Sequence, residues 1–386
     1  MPHPSRSTVV HVTRYVPQYR REVFESLRFR LAARDVDFRL VYGQPGPDDA
    51  ARGDAVEIAW AERIENRFIA LPGREAVWQP YLRRVSGADL LILEQGSRLL
   101  ATYAAFGRRA FGGPAIAFWG HGLHFNTGHA MPVAEAAKAW LARRADWWFA
   151  YTPRSVEVVA GLGFPRERIT LMENAVDTSA LRAARARLDE DELEALRTRL
   201  GLVGRRVAVY VGALTPEKRL GFLIAAGDEV CRRVPDFELI VVGAGVEAAR
   251  LRAAAVRRPW LHAVGARFGD DKVRHLALGR IMLMPGRAGL VVLDAFALEL
   301  PMVTTAWPYH SHEFGYLVDR VNARVVPSWD DTGAYAAVVA ELLEDDALQE
   351  RLREGCSAGA TRYTVENMAD NIVTGCLAAL STLGRC

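Results

Sequence analysis

The residues best suited to hold an anion lie between Pro285 and Thr305, in the run Pro-Gly-Arg-Ala-Gly-Leu-Val-Val-Leu-Asp-Ala-Phe-Ala-Leu-Glu-Leu-Pro-Met-Val-Thr-Thr. The apolar run Ile281–Met284 before it predicts a buried strand, and Gly286–Gly289 predicts a turn. A helix from about Leu290 must end before Pro301, and Met302–Thr305 then reads as the next strand. A helix start free of bulky side chains offers unpaired backbone N–H groups and a positive dipole end, which suits a phosphate. One carboxylate, Asp294, falls inside that helix. The plain alternative is an ordinary βαβ unit, because glycine-rich βα turns are frequent in this fold class.

The elements that must position this segment recur along the whole chain. Short β-rich runs alternate with helical patterns, the sequence form of a parallel α/β sheet. The first half has strand candidates at Thr8–Val12, Phe38–Val41, Leu90–Leu93, Ala115–Phe118, Trp147–Ala150 and Ile169–Leu171. The second has them at Val207–Val211, Glu238–Val242, Leu261–Val264, Ile281–Met284, Met302–Thr305 and Arg324–Val326. Between the sets lies Ser179–Leu200, a charged helical stretch closed by Gly201-Leu-Val-Gly204. The expected organisation is a Rossmann-like domain over 1–180, a linker over 181–204, a second such domain over 205–363 and a last helix over 364–386. That last helix has one apolar stripe of Met368, Ile372, Val373, Cys376, Leu377 and Leu380, which must cover its own domain or reach back to the first. Two Rossmann-like halves form a cleft when they face each other.

Composition narrows the class of function. A chain of 386 residues with 50% hydrophobic and 25% charged residues is globular and long enough for two cores. No apolar run of about eighteen residues appears, and the start lacks an apolar signal core, so a cytoplasmic protein is expected. Cys231, Cys356, Cys376 and Cys386 show no metal-ligand spacing, which predicts reduced thiols and no zinc site. A net charge of +3, with no basic tract interleaved with aromatics, gives no reason for a nucleic-acid partner. Arg20, Arg21, Arg28, Arg30 and Arg34 gather on the first helix, and Arg143 and Arg144 precede Trp147-Trp148-Phe149. A basic amphipathic helix can rest on an anionic membrane as a peripheral contact, but Glu22, Glu25 and Asp35 dilute the charge and favour a solvated face.

Four segments, in order, resemble the retaining glycosyltransferases of family 4, with the two-domain GT-B architecture. They are Ala117-Phe-Trp-Gly-His-Gly122, Glu173-Asn-Ala-Val-Asp177, Val209-Tyr-Val-Gly-Ala-Leu-Thr-Pro-Glu-Lys-Arg-Leu220 and Pro285–Thr305. The resemblance implies two facing Rossmann-like domains with parallel sheets and an interdomain cleft. It also implies metal-independent transfer of a sugar, with retention, from a nucleotide-diphosphate donor, UDP-linked by expectation, to a hydroxyl- or amine-bearing acceptor. That acceptor is a small molecule, a glycan or a lipid; the nucleotide sugar is a co-substrate and no cofactor is implied. Negative charge grows on the leaving diphosphate, and without a metal the protein must stabilise it with cations and dipoles. Lys218, one of only three lysines with Lys138 and Lys272, stands where the family places such a cation. Arg219 shares that role or points away. The pattern puts Gly212, Gly289, Leu290 and Val291 on the donor phosphates and His121 near the donor sugar. Asp294 falls on the ribose hydroxyls, two of which a carboxylate can accept from at once.

This chain departs from the pattern at three places. Gly286 stands where the family has a glutamate that holds donor-sugar hydroxyls, and Arg287 beside it can bring a cation to the diphosphate instead. Ala213 replaces an arginine. The double-glycine loop after the first strand is missing, and Tyr15, Tyr19 and Arg20 take its place as candidate acceptor contacts, with helix-start packing as the plainer reading. Glu313, within His310-Ser-His-Glu-Phe-Gly-Tyr316, resembles a family segment after the donor strand and could equally cap or brace its loop, and His124, His310 and His312 carry no preference for function. The losses at 213 and 286 keep open a nucleotide-sugar-binding protein with little catalysis, and the shared architecture keeps open a sugar-nucleotide epimerase.

Overall fold

A computed structural model describes residues 6–50, 53–71, 74–122 and 139–384. His124 and Lys138 lie outside the described residues. The chain divides into two compact units, Met1–Val176 with Val365–Cys386, and Asp177–Thr364.

The first unit is built on a seven-stranded parallel sheet in the order β3-β2-β1-β6-β7-β8-β9. Its strands are β1 (Ser7–Thr13), β2 (Val36–Tyr42), β3 (Glu62–Arg63), β6 (Leu90–Glu94), β7 (Ala115–Gly120), β8 (Trp147–Ala150) and β9 (Ile169–Leu171). An antiparallel hairpin of β4 (Arg67–Leu71) and β5 (Arg74–Trp78) stands beside it and had no clear signal in the sequence. The central strands are buried on both faces, which is why they read as continuous apolar runs rather than alternating ones. The helix Val365–Thr382 belongs to this unit and covers the helix Arg21–Ala32 and the sheet with Met368, Ile372, Val373, Cys376 and Leu380. Gly375 allows that approach, since a Cβ there would lie 2.3 Å from Thr170 Oγ1. Several arginines of the first helix are engaged inside the unit: Arg30 pairs with Asp370 at 2.5 Å, and Arg28 lies over the Trp60 ring.

The second unit holds a six-stranded parallel sheet in the order β12-β11-β10-β13-β14-β15. The strands are β10 (Arg206–Val211), β11 (Phe237–Val242), β12 (Leu261–Gly265), β13 (Ile281–Met284), β14 (Met302–Thr305) and β15 (Ala323–Val326). The stretch 181–204 holds two helices, Ser179–Ala186 and Glu190–Leu200, both within this unit. Asp189 starts the second of them by accepting the N–H groups of Asp191 and Glu192, and Gly201 ends it at φ 68°.

Both sheets have a point where the strand order reverses, between β1 and β6 in one and between β10 and β13 in the other. In open parallel sheets such a reversal opens a crevice at the carboxyl ends of the strands, where ligands bind. The motifs after β10 and β13 fall at the second of these places, whereas Ala117–Gly122 closes β7 and Glu173–Asp177 follows the edge strand β9. Among the described residues, no helix is long and apolar enough to cross a membrane, and Cys231, Cys356 and Cys376 are free thiols.

Candidate functional site

At the second unit's crevice the loop after β10 meets the loop after β13. Lys218 ends the short turn Pro216–Lys218, and its Nζ donates to the Arg287 carbonyl at 2.5 Å. The Arg287 N–H in turn donates to the Glu217 carbonyl at 2.9 Å. Burial pushes the Lys218 ammonium down to about 8, and the nearby Arg287 cation acts in the same direction, while Glu217 opposes both. Among the described residues Lys218 forms no ion pair. A largely buried ammonium that meets a carbonyl rather than a carboxylate is poised for an anion from outside.

Gly286 has a steric reason to be glycine. A Cβ there would lie 2.4 Å from the Glu217 carbonyl oxygen and 2.5 Å from the Lys218 carbonyl carbon. The position therefore has no room for the family's glutamate while the two loops touch. Gly212, at φ 152°, lies beside the Tyr210 hydroxyl and the Lys218 side chain.

The opposite side of the donor loop is fixed by the segment after β14. The Ala288 N–H donates to His310 Nδ1 at 3.0 Å, and His310 Nε2 donates to the Thr305 carbonyl at 2.8 Å, which sets the tautomer. The Ser311 N–H donates to the Ala288 carbonyl, and the Thr305 hydroxyl donates to the Pro285 carbonyl. Buried Glu313 directs a carboxylate oxygen to within 3.7 Å of where a Cβ on Gly289 would lie. His310 is thus a structural brace that residue order alone did not single out. The only signal was its place in a polar cluster following a strand.

The remaining donor-side residues divide by where their side chains go. The N–H groups of Gly289, Leu290 and Val291 have no acceptor among the described residues, whereas the next two donate to the Gly289 and Leu290 carbonyls. The helix they open, Val291–Ala297, has seven residues, so its dipole is small and most of any stabilising charge must come from side chains. Arg287 lies near the loop and donates to the Tyr309 carbonyl at 3.2 Å. Arg219 is engaged elsewhere: its guanidinium donates to the Trp329 carbonyl at 2.5 Å and to the Pro285 carbonyl at 3.3 Å, and it lies over the Phe222 and Trp329 rings. Those contacts make Arg219 a strap on the donor loop. Asp294 accepts from Lys272 Nζ at 2.8 Å, an ion pair that the sequence did not signal.

The first unit's crevice is differently built. Glu94, ending β6, accepts from the Thr13 hydroxyl at 2.6 Å, and Arg14 lies between Glu94 and Asp49 at 3.6 and 3.1 Å. Burial works against the Arg14 charge, but the two carboxylates hold its pKa above the ordinary value. His121 follows β7. Gly120 lets Gln95 pass, since a Cβ there would lie 2.6 Å from the Gln95 Cβ, and Gly122 takes φ 86°. Gln95 clamps the turn from both sides, accepting the Gly122 N–H at 2.8 Å and donating to its carbonyl at 2.7 Å. The His121 ring lies against the Tyr151 ring with centroids 4.2 Å apart and planes tilted by 33°, and Trp119 Nε1 donates to the Tyr151 hydroxyl at 2.6 Å.

The three acceptor candidates separate in the structure. Tyr15 is buried, Tyr19 is 41% exposed, and Arg20 is 7% exposed. Arg20 donates to Asn174 Oδ1 at 2.6 Å and lies over the Tyr19 and Tyr151 rings. Arg20 therefore holds Asn174 within the first unit, and Tyr19 is the member of the trio that solvent reaches. His11, unremarked in the sequence, is buried beside Arg20 and Trp119 and pushed down to about 3, first by burial and then by the Arg20 cation.

Comparisons with known proteins bear on the fold and on the class of activity. Residues 205–345 match the family model described as Glycosyl transferases group 1. The chain is 26% identical over 318 residues to the alpha-D-kanosaminyltransferase of Streptomyces kanamyceticus, covering 75% of this chain and 77% of that protein. A 2-deoxystreptamine glucosyltransferase of the same organism is 33% identical over 126 residues, 32% of this chain and 31% of the relative. Among solved structures, Anabaena HepE in complex with UDP-glucose aligns with TM-score 0.65 at 16% identity over 97% of this chain and 100% of that one. Sucrose-phosphate synthase from Thermosynechococcus elongatus aligns with TM-score 0.66 at 15% identity, over 98% and 100%. The fold is GT-B, and the chain is a glycosyltransferase.

Proposed function

We propose that the protein is a retaining, family-4-type enzyme that transfers a hexose-type sugar from a UDP-linked donor to a hydroxyl- or amine-bearing acceptor, without a metal. One observation carries this reading: Lys218 is a largely buried ammonium with no carboxylate partner among the described residues, set on a donor loop braced from both sides. When the glycosidic bond to the diphosphate breaks, charge grows on the leaving oxygen, and a cation fixed in advance stabilises it without reorganising. Arg287 and the open N–H groups at 289–291 supply further stabilisation. His121, held rigid by Gln95 and Tyr151, is the residue assigned to the donor sugar and its phosphate.

The 2-deoxystreptamine glucosyltransferase supports an amine-bearing cyclitol as acceptor, the kanosaminyltransferase supports a hexose-type sugar as the group transferred, and the UDP-glucose held by HepE supports a UDP donor. The test is turnover of UDP-glucose and UDP-N-acetylglucosamine against a panel of aminocyclitols, glycans and lipids, with mass-spectrometric detection of product. Release of UDP coupled to a new α-linked glycoside is expected. A protein that binds UDP yet neither transfers nor hydrolyses any UDP, GDP or TDP sugar would overturn the enzymatic reading.

A further inference from the structure

The residue after Lys218 holds a backbone conformation that its type disfavours. Arg219 lies at φ 57° and ψ 44°, closing the turn Pro216–Lys218 and opening the helix Leu220–Arg233. A residue with a Cβ is strained in that left-handed region, where glycine sits freely. The side chain offsets that strain through its contacts. Its guanidinium donates to the Pro285 carbonyl at 3.3 Å and to the Trp329 carbonyl at 2.5 Å. It also lies 4.3 Å from the centre of the Phe222 ring and 5.1 Å from that of Trp329. One side chain thus joins the loops that follow β10, β13 and β15. Pro285 is held a second time from β14, whose Thr305 hydroxyl donates to the same carbonyl at 2.9 Å.

We propose that Arg219 is a positioning residue for Lys218: it locks the turn that follows the lysine onto the loop its ammonium meets, and so fixes where that ammonium points. This rests on the reading of Lys218 as the cation for the leaving diphosphate. Two anchors on one loop carry the inference. Lys218 Nζ meets the loop after β13 at the Arg287 carbonyl, and Arg219 meets the same loop at Pro285. Between these anchors Gly286 packs against the Lys218 backbone, where a Cβ would lie 2.5 Å from the carbonyl carbon. A lysine has a long flexible stem, so a carbonyl at its tip does not by itself fix its direction. A fixed backbone at its root supplies the rest. Arginine suits the task, because its guanidinium can bridge two carbonyls while its faces rest on aromatic rings. Glycine at 219 would make the same turn without strain but would leave the three loops unlinked. The side chain, not the turn, is therefore what the position requires.

Calorimetric affinities for UDP in a double-mutant cycle of Lys218→Ala and Arg219→Gly test this. Lys218→Ala should weaken UDP by about 10-fold to 100-fold, the range of one charge-assisted hydrogen bond. Arg219→Gly should weaken it by about tenfold when Lys218 is present, and by no more than about twofold in the Lys218→Ala background. A pH series adds a readout that a merely structural role would not move. Wild-type affinity should fall as pH rises past about 8, and in Arg219→Gly that fall should move to higher pH, because a loosened ammonium regains water. Arg219→Lys keeps a cation but cannot bridge both carbonyls, so it should behave like Arg219→Gly; wild-type behaviour in it would overturn the role of the guanidinium. The same loss from Arg219→Gly in both backgrounds would show that Arg219 does not act through Lys218. Wild-type affinity and pH dependence in Arg219→Gly would overturn the proposal and leave Lys218 in place. Unchanged UDP affinity in Lys218→Ala would overturn the reading of Lys218 itself, and the proposal with it.

Discussion

The crevice between β10 and β13 and the crevice between β1 and β6 arise from the same reversal of strand order, yet they handle charge in opposite ways. In the first unit Arg14 is matched by Glu94 and Asp49, and Arg20 is buried on Asn174. In the second, Lys218 meets only a carbonyl, and the loop around it presents N–H groups. A neutralised crevice suits a polar ligand of little negative charge, whereas an uncompensated cation suits a diphosphate. The fold supplies the place and the local side chains decide what can occupy it.

Removing the uncompensated cation is the strongest way to break this contrast. Lys218→Ala should lower turnover about 10²–10³-fold, the effect of losing one fixed donor to a developing anion. Steady-state kinetics at wild-type rate would remove Lys218 from the mechanism. Next comes Gly286→Glu, which puts back the family carboxylate where the Glu217–Lys218 backbone already lies. It should cost about 1–3 kcal/mol of stability, as overpacking does. Thermal unfolding together with UDP-glucose calorimetry reads this, and a fully stable variant with tighter sugar binding would show that the loop has room.

The pH dependence is a gentler test. Lys218 is charged below about 8 and neutral above it, and a diphosphate binds the charged form. Affinity for UDP should therefore fall as pH rises past that value, by at most about tenfold per unit, and Lys218→Ala should be flat over the same window. A wild-type profile level from pH 7 to 9.5 would contradict the assignment. The smallest effect is expected on the other side. Glu94→Gln should raise the acceptor KM by about tenfold or less, since it weakens a partly exposed ion pair and keeps the shape, with the donor KM unchanged. A change confined to the donor KM would place Glu94 in the wrong half of the reaction.

Much of this molecule was legible in its residues. Every strand expected from the sequence is present, and the central ones are apolar because they are buried on both faces. The hairpin β4–β5 was not legible, since a short pair outside the main sheet leaves no such run. Within the site, the glycine turn, Lys218 and Asp294 were marked by residue type and order. Their partners were not: His310, Gln95, Tyr151 and Lys272 come from other elements, far away along the chain.

The sequence by itself determined the parallel α/β class, the two sets of strands and the glycine-rich loop that can approach an anion, because periodicity and backbone freedom are local properties. Only the tertiary structure decided which charges are compensated. Arg219 and Arg20, plausible ligand contacts as letters, are engaged with Pro285, Trp329 and Asn174, whereas Lys218 is left facing a carbonyl. It also decided why residue 286 is glycine: the backbone of Glu217 and Lys218 fills the space a side chain would need. Ion pairing and steric room depend on what other segments bring to a point, which the order of residues along the chain does not state.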